Sequence, residues 1–209
     1  MSFFDNNKTI GLVLIIIGLI NLVVGIGIAV AGWNDDTVNT NSAICYGIAS
    51  IIFGLLIFIW GFSVRGGPND QAKVLSGTIR MVGIITILQA LFIALGAYFA
   101  SDNSSITNAV WTAIVSMIVS IIIGLFLIWV AGKVRGANQN IISKGLWIVL
   151  IIVFIIMAIL SFMKLFDGSY DFGSLNGIIA VIGAICVFIL YLYFVIAMFS
   201  KDVKAAMGI

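Results

Sequence analysis

Two amides interrupt runs that are otherwise apolar: Asn21 in "GLVLIIIGLINLVVG" and Gln89 in "GIITILQALFIALG". A side-chain amide carries no charge, one acceptor oxygen and two N–H donors. The chemistry open to it is hydrogen bonding, to a second helix or to a small polar solute. The remaining chemical inventory is sparse. Histidine is absent and all eight acidic residues are Asp, which removes the commonest general base and the commonest metal ligand together. There is no phosphate-binding loop, metal-ligand spacing or nucleophile elbow, and Gly25-x-Gly27 lies inside an apolar run rather than after a strand. These residues predict a non-enzymatic protein with no catalytic residue, no cofactor and no metal site.

Cys45 opens one apolar run and Cys186 lies within another. At the rise of a helix their depths should differ by roughly 10–15 Å, beyond disulfide reach, so both are expected as buried small hydrophobes. The acidic stretches "NDD" and "DNSS" read as solvated turns and caps rather than as calcium loops, whose spacing they lack. Asn103-Ser104-Ser105 fits a glycosylation acceptor, set close to the end of a run.

The elements that must position these residues are membrane spans. Of 209 residues 63% are hydrophobic and 9% charged, whereas soluble domains run near 45–50% apolar and about 25% charged. The apolar residues arrive in six blocks long enough to cross a bilayer, at about 9–32, 43–64, 79–100, 109–132, 145–163 and 175–199. The first block has an Ala29-x-Ala31 of cleavage flavour but exceeds the length of a signal h-region, and is expected to be retained. The predicted fold is all-α and polytopic: six transmembrane helices in one domain over residues 1–209.

Orientation follows from the basic residues. Lys8, Arg65, Lys73, Arg80, Lys133, Arg135, Lys144, Lys201 and Lys204 fall on one side of a six-span arrangement and only Lys164 on the other. That bias places both termini in the cytoplasm. Asp35, Asp36, Asp102, Asp167 and Asp171 fall outside, and Trp33, Trp111, Trp60, Trp129 and Trp147 mark the span ends as an aromatic belt would. A net charge of +2 without a basic run gives no reason to expect nucleic acid.

The chain also repeats itself. "SIIFGLLIFIW" from Ser50 returns as "SIIIGLFLIW" from Ser120, and Val64-Arg65-Gly66 returns as Val134-Arg135-Gly136. Asn21 and Gln89 stand sixty-eight residues apart in the first helices of the two hairpins. The expectation is three tandem parallel hairpins (9–64, 79–132 and 145–199), the third diverged. Gly11, Gly18, Gly25 and Gly32 recur every seven residues, as do Gly47, Gly54 and Gly61. Ser76, Gly83, Ala90 and Ala97 keep that spacing, while Thr112, Ser116, Ser120 and Gly124 recur every four. Small residues on one stripe let helix backbones approach in a bilayer, where apolar burial supplies no driving force, so these positions predict packing seams. Asn21, three after Gly18 and four before Gly25, is expected on the seam face with Gln89 as its hydrogen-bond partner. The fifth span is bulky throughout and is expected at the periphery or against a partner.

"GLVLIIIGLINLVVG" (Gly11 to Gly25), "GIASIIFGLLIFIWG" (Gly47 to Gly61) and "SIIIGLFLIW" together resemble the HdeD-type short-repeat membrane proteins of bacteria and archaea, over about the first two-thirds of the chain. The chain departs from them in lacking the proline often found after a first hairpin helix, and in its third hairpin. The resemblance implies a non-enzymatic protein of a prokaryotic cytoplasmic membrane, in one branch linked to acid stress, and brings no catalytic residues. The leading expectation is a structural or accessory component, partnered by membrane lipids and either self-associating as a homo-oligomer or packed on a larger membrane complex. The alternative is a passive channel or carrier for a small neutral solute.

Overall fold

A computed structural model of the chain describes residues 6–34, 39–100, 106–136, 141–163, 165–166 and 175–209. Asp35, Asp36, Asp102, Asn103, Lys164, Asp167 and Asp171 lie outside the described residues. Among the described residues seven helices appear in order: α1 (Asn7–Asn34), α2 (Thr40–Gly66), α3 (Gln71–Ala100), α4 (Ile106–Gly136), α5 (Ile141–Met163), α6 (Leu175–Met198) and α7 (Lys201–Ala206). The first six are long and apolar enough to cross a membrane, and no strand occurs among the described residues. Helices satisfy every backbone group internally, the condition that a hydrocarbon solvent imposes.

The first five helices begin earlier than their apolar runs do. Asp70 accepts from the Lys73 backbone N–H at 2.9 Å, so α3 starts at Gln71 rather than near 79. Its first two turns are mixed in polarity, and an apolar run count passes over them. Arg80 therefore stands nine residues into its helix, about 13 Å along the axis, instead of at its tip. Asn39 caps α2 in the same way, accepting from Ser42 N at 3.2 Å.

The six long helices run up and down. α1 lies tightly against α2 and α3 against α4, while α5 meets chiefly α6, which in turn reaches α1. One end of the bundle gathers the start of α1, the α2–α3 turn, and α7; it is called the basic end here. Asn7 joins the first two, donating from its backbone to Asn69 Oδ1 at 3.0 Å and from its side chain to the Pro68 carbonyl, and accepting from Gln71 Nε2 at 3.0 Å, while the Gln71 backbone N–H donates to Asp202 Oδ2 of α7 at 3.4 Å. Ser200 caps α7, whose Val203 is buried, as is Met207 just beyond it. This short helix escapes any search for spans because only one turn and a half separates its cap from its end.

α1 and α2 are joined by glycine on glycine. A Cβ placed on Gly11 would come within 2.7 Å of the Gly61 carbonyl, one on Gly18 within 2.7 Å of the Gly54 carbonyl, and one on Gly25 within 2.7 Å of the Gly47 carbonyl. Gly32 closes the series against Ala43. From Gly11 to Gly25 each step of seven along α1 is matched by a step of seven back along α2; the last step, to Gly32, is matched by four residues, from Gly47 to Ala43. Seven residues leave a drift of only about 20° around a helix, which a left-handed crossing absorbs.

α3 and α4 use the same device once. Gly83 and Gly124 face each other, a Cβ on either lying 2.7 Å from the other's carbonyl oxygen. Ser76 Oγ donates to the Ala131 carbonyl at 2.7 Å, seven residues along on both helices. The four-residue stripe expected along α4 does not run its length: Gly124 is buried, Ser120 and Ser116 are half-buried and Thr112 is exposed. Steps of four rotate by about 40° each, so three steps carry Thr112 off the interface, whereas Gly124 and Ala131, seven apart, both stay buried on it.

Candidate functional site

Five polar side chains of the spans share one cavity. It measures about 360 Å³, is open on one side, and is lined by residues of α1, α2, α3 and α6 near the middle of the bundle. Asn21 and Gln89 both line it, as do Ser50, Thr86 and Tyr191, among apolar walls that include Phe53, Ile85 and Leu190. Asn21 is 7% exposed and so is turned into the bundle, not toward lipid.

Each amide spends its nitrogen on a backbone carbonyl. Asn21 Nδ2 donates to Ile17 O at 2.9 Å, four residues back in its own helix. Gln89 Nε2 donates across to Ala49 O of α2 at 2.6 Å. A carbonyl can only accept, so each amide gives one N–H to a helix backbone, and among the described residues neither amide oxygen accepts from a protein group. The hydrogen bond expected between Asn21 and Gln89 is thus not one that either side chain makes; they share a cavity. Ser50 and Tyr191 bring hydroxyls to it that bond no other group among the described residues, and Thr86 Oγ1 donates back to Val82 O at 2.8 Å.

Sequence reasoning missed Ser50, Thr86 and Tyr191. A signal for Thr86 was present in the small-residue stripe. Thr86 is three residues past Gly83 as Asn21 is three past Gly18, and both bond the carbonyl four residues behind. The glycine facing therefore matches Asn21 with Thr86, whereas the shared amide chemistry matched it with Gln89. Ser50 and Tyr191 carried no comparable mark.

Toward the basic end the cavity is closed. Ile17 of α1, Ile57 of α2, Ile79 of α3 and Tyr193 of α6 each lie one turn or so beyond a lining residue of the same helix, and all are 4% exposed or less. Two further contacts hold α2 against α3 on the far side: Ser42 Oγ donates to Gly96 O at 2.9 Å, and the Tyr46 ring lies 3.0 Å from where a Cβ on Gly96 would stand. Cys45 and Cys186 are buried and form no disulfide. Among the described residues no group of His, Cys, Asp or Glu could hold a metal ion.

Taken together the site offers neutral hydrogen-bonding groups in an apolar surround, with no carboxylate, ammonium or guanidinium on its lining. No family model matches the chain, and no curated protein or solved structure matches it either.

Proposed function

We propose that this integral membrane protein is a passive carrier for a small uncharged solute bearing N–H or O–H donors. The observation that carries the reading is the mid-span cavity with the Asn21 and Gln89 amide oxygens unpaired on its wall. Acceptors without a protein donor in an apolar setting favour a ligand that donates. The absence of charge on the lining disfavours an ion, whose transfer from water would go uncompensated. About 360 Å³ falls at the lower end of small-molecule sites. A carrier fits better than an open channel because Ile17, Ile57, Ile79 and Tyr193 fill the bundle between the cavity and the basic end.

The basic end is assigned to the cytoplasm of a prokaryotic cell on the distribution of Lys and Arg. The first two hairpins are read as tandem copies, supported by Gly83 facing Gly124 as Gly18 faces Gly54. Proteoliposomes loaded for swelling assays with glycerol, urea, ammonia and water test the carrier. One of these solutes should equilibrate faster than in protein-free vesicles, and Ser50→Phe, which fills the cavity, should abolish the excess. Rates equal to those of empty vesicles across the panel would overturn the proposal.

A second reading, an accessory subunit or homo-oligomer, is favoured by α5, whose Ile148, Ile152, Ile155 and Ile159 are exposed and whose main neighbour is α6. Native mass measurement in mild detergent separates it. A strictly monomeric species without a co-purifying protein would count against this second reading.

A further inference from the structure

A second and larger concavity lies at the basic end on the outer wall of the bundle. It measures about 880 Å³, with α3 as its back and α2 and α4 as its sides. Lys73 and Arg80 line it, seven residues apart on one face of α3, hence about 10 Å from one another along the axis. Between them sits Gly77, whose missing side chain leaves room for the Trp60 ring. Trp60 is fixed there by its Nε1–H, which donates to Thr78 Oγ1 at 3.0 Å. Below the charges the lining turns apolar, with Met81 and Ile84 from α3 and Ile128 from α4. Gly132 borders the concavity with open space where its Cβ would be.

Both cationic side chains are exposed, and among the described residues neither makes an ion pair or a side-chain hydrogen bond. Lys133 differs: its ammonium lies over the Trp129 ring at 5.7 Å. Arg80 stands about 13 Å into its helix, deeper than a residue that simply reaches bulk water from a tip. Two unneutralised cations stepping down a helix, with an apolar trough continuing from the deeper one, have the shape of a phospholipid: phosphate above, acyl chain below.

We propose that this groove is a binding site for an anionic phospholipid, whose headgroup phosphates lie between Lys73 and Arg80 and whose acyl chain runs along Met81, Ile84 and Ile128. Charge complementarity selects an anionic over a zwitterionic headgroup, since a zwitterion brings its own cation. The trough selects a lipid over a soluble phosphate, which has nothing to place against Ile84 and Ile128. The site is on the opposite side of α3 from the Gln89–Ala49 contact and does not depend on the carrier proposal.

Delipidated full-length protein in detergent, titrated with short-chain phosphatidylglycerol, phosphatidylcholine or inorganic phosphate and read by native mass spectrometry, tests it. Phosphatidylglycerol should bind most tightly. Lys73→Gln and Arg80→Gln should each weaken it about fivefold, and the double change about 25-fold, following the usual contribution of one surface cation to anionic-lipid attraction. Gly132→Phe, which fills the groove without altering charge, should also reduce binding, while Lys8→Gln at the same end should not. Equal binding of phosphatidylcholine, equal binding of phosphate alone, or an equal loss in Lys8→Gln would each overturn the site.

Discussion

The first and third hairpins are held by opposite means. α1 and α2 meet backbone to backbone, glycine facing glycine at Gly11–Gly61, Gly18–Gly54 and Gly25–Gly47. α5 and α6 meet through rings: Phe154 against Phe194 with centroids 5.1 Å apart, Phe162 against Phe188 at 5.4 Å, and Trp147 Nε1 donating to Met198 O at 2.9 Å. In lipid both are dispersion contacts, since burial as such gains nothing. They differ in tolerance. A glycine contact has no side chain that can rotate aside, whereas a ring contact can lose atoms and relax. The difference also bears on the cavity. α6 approaches α1 with bulky residues near the basic end (Leu190, Tyr193) and with Gly183 beside Val24 further along, and the cavity lies on that further stretch.

The largest effect expected from breaking this comparison is at Gly54. Its Cβ would stand 2.7 Å from the Gly18 carbonyl and 2.9 Å from the Asn21 backbone carbon, atoms that cannot move without their helix. Gly54→Leu should cost about 3 kcal/mol or more and separate α1 from α2, read as loss of a monodisperse species and of cooperative unfolding in micelles. Gly145→Leu is the control, since nothing lies within 4 Å of a Cβ there. Its unfolding should be within about 0.5 kcal/mol of the parent. Equal damage at both positions would show that glycine matters for helix flexibility and not for approach.

Phe154→Ala is the matching test of the third hairpin. Phe154 is 1% exposed and joins Leu150, Phe194 and Met198 in the core. Removing the ring should cost about 2–3 kcal/mol through lost contacts, with the fold kept. Solvent-accessible cysteine labelling at the basic end should remain as in the parent. If the variant instead loses the α1–α2 pairing, the two hairpins are not independent.

How far the sequence could be read follows the same division. Six spans and the α1–α2 seam were legible because hydropathy and a seven-residue glycine period are local signals, carried by Gly11 through Gly32 and Gly47 through Gly61. The bulk of α5 signalled its peripheral place. What escaped depended on relations between helices. Gln89 reaches the Ala49 carbonyl and not Asn21 because α3 is set against α2 by Trp60 on Thr78 and by Ser42 on Gly96, which the amide spacing ignores. The concavity at Lys73 and Arg80 was hidden for another reason: it needs α3 to begin at Gln71, and the capping Asp70 sits in what reads as a loop.

Gln89→Leu ranks next in size. It removes the one side-chain bond that, among the described residues, the cavity lining makes between two helices, at Ala49, while the leucine still has the cavity to occupy. The loss should be about 1 kcal/mol, within the range for interhelical polar contacts in bilayers. Asn21→Leu should cost less, because its bond lies within α1 and the Ile17 carbonyl keeps its helical partner. On the carrier reading both variants should also slow the accelerated solute, Gln89→Leu without disturbing the oligomeric state.

The smallest expected effect is the coupling between these two changes, and it separates the geometries most directly. Were Asn21 and Gln89 bonded to one another, removing either would strand the other, and the double change would be milder than the singles summed. In the structure each nitrogen has its own carbonyl, on α1 and on α2, and the free oxygens face the cavity without a shared proton. The double Asn21→Leu, Gln89→Leu variant should therefore show additivity within about 0.5 kcal/mol in reversible unfolding. A favourable coupling of about 1 kcal/mol or more would restore the direct bond and remove the free acceptors on which the solute proposal depends. A coupling near zero leaves two independent acceptors on one wall of the cavity, the arrangement that a donor-bearing solute could bridge.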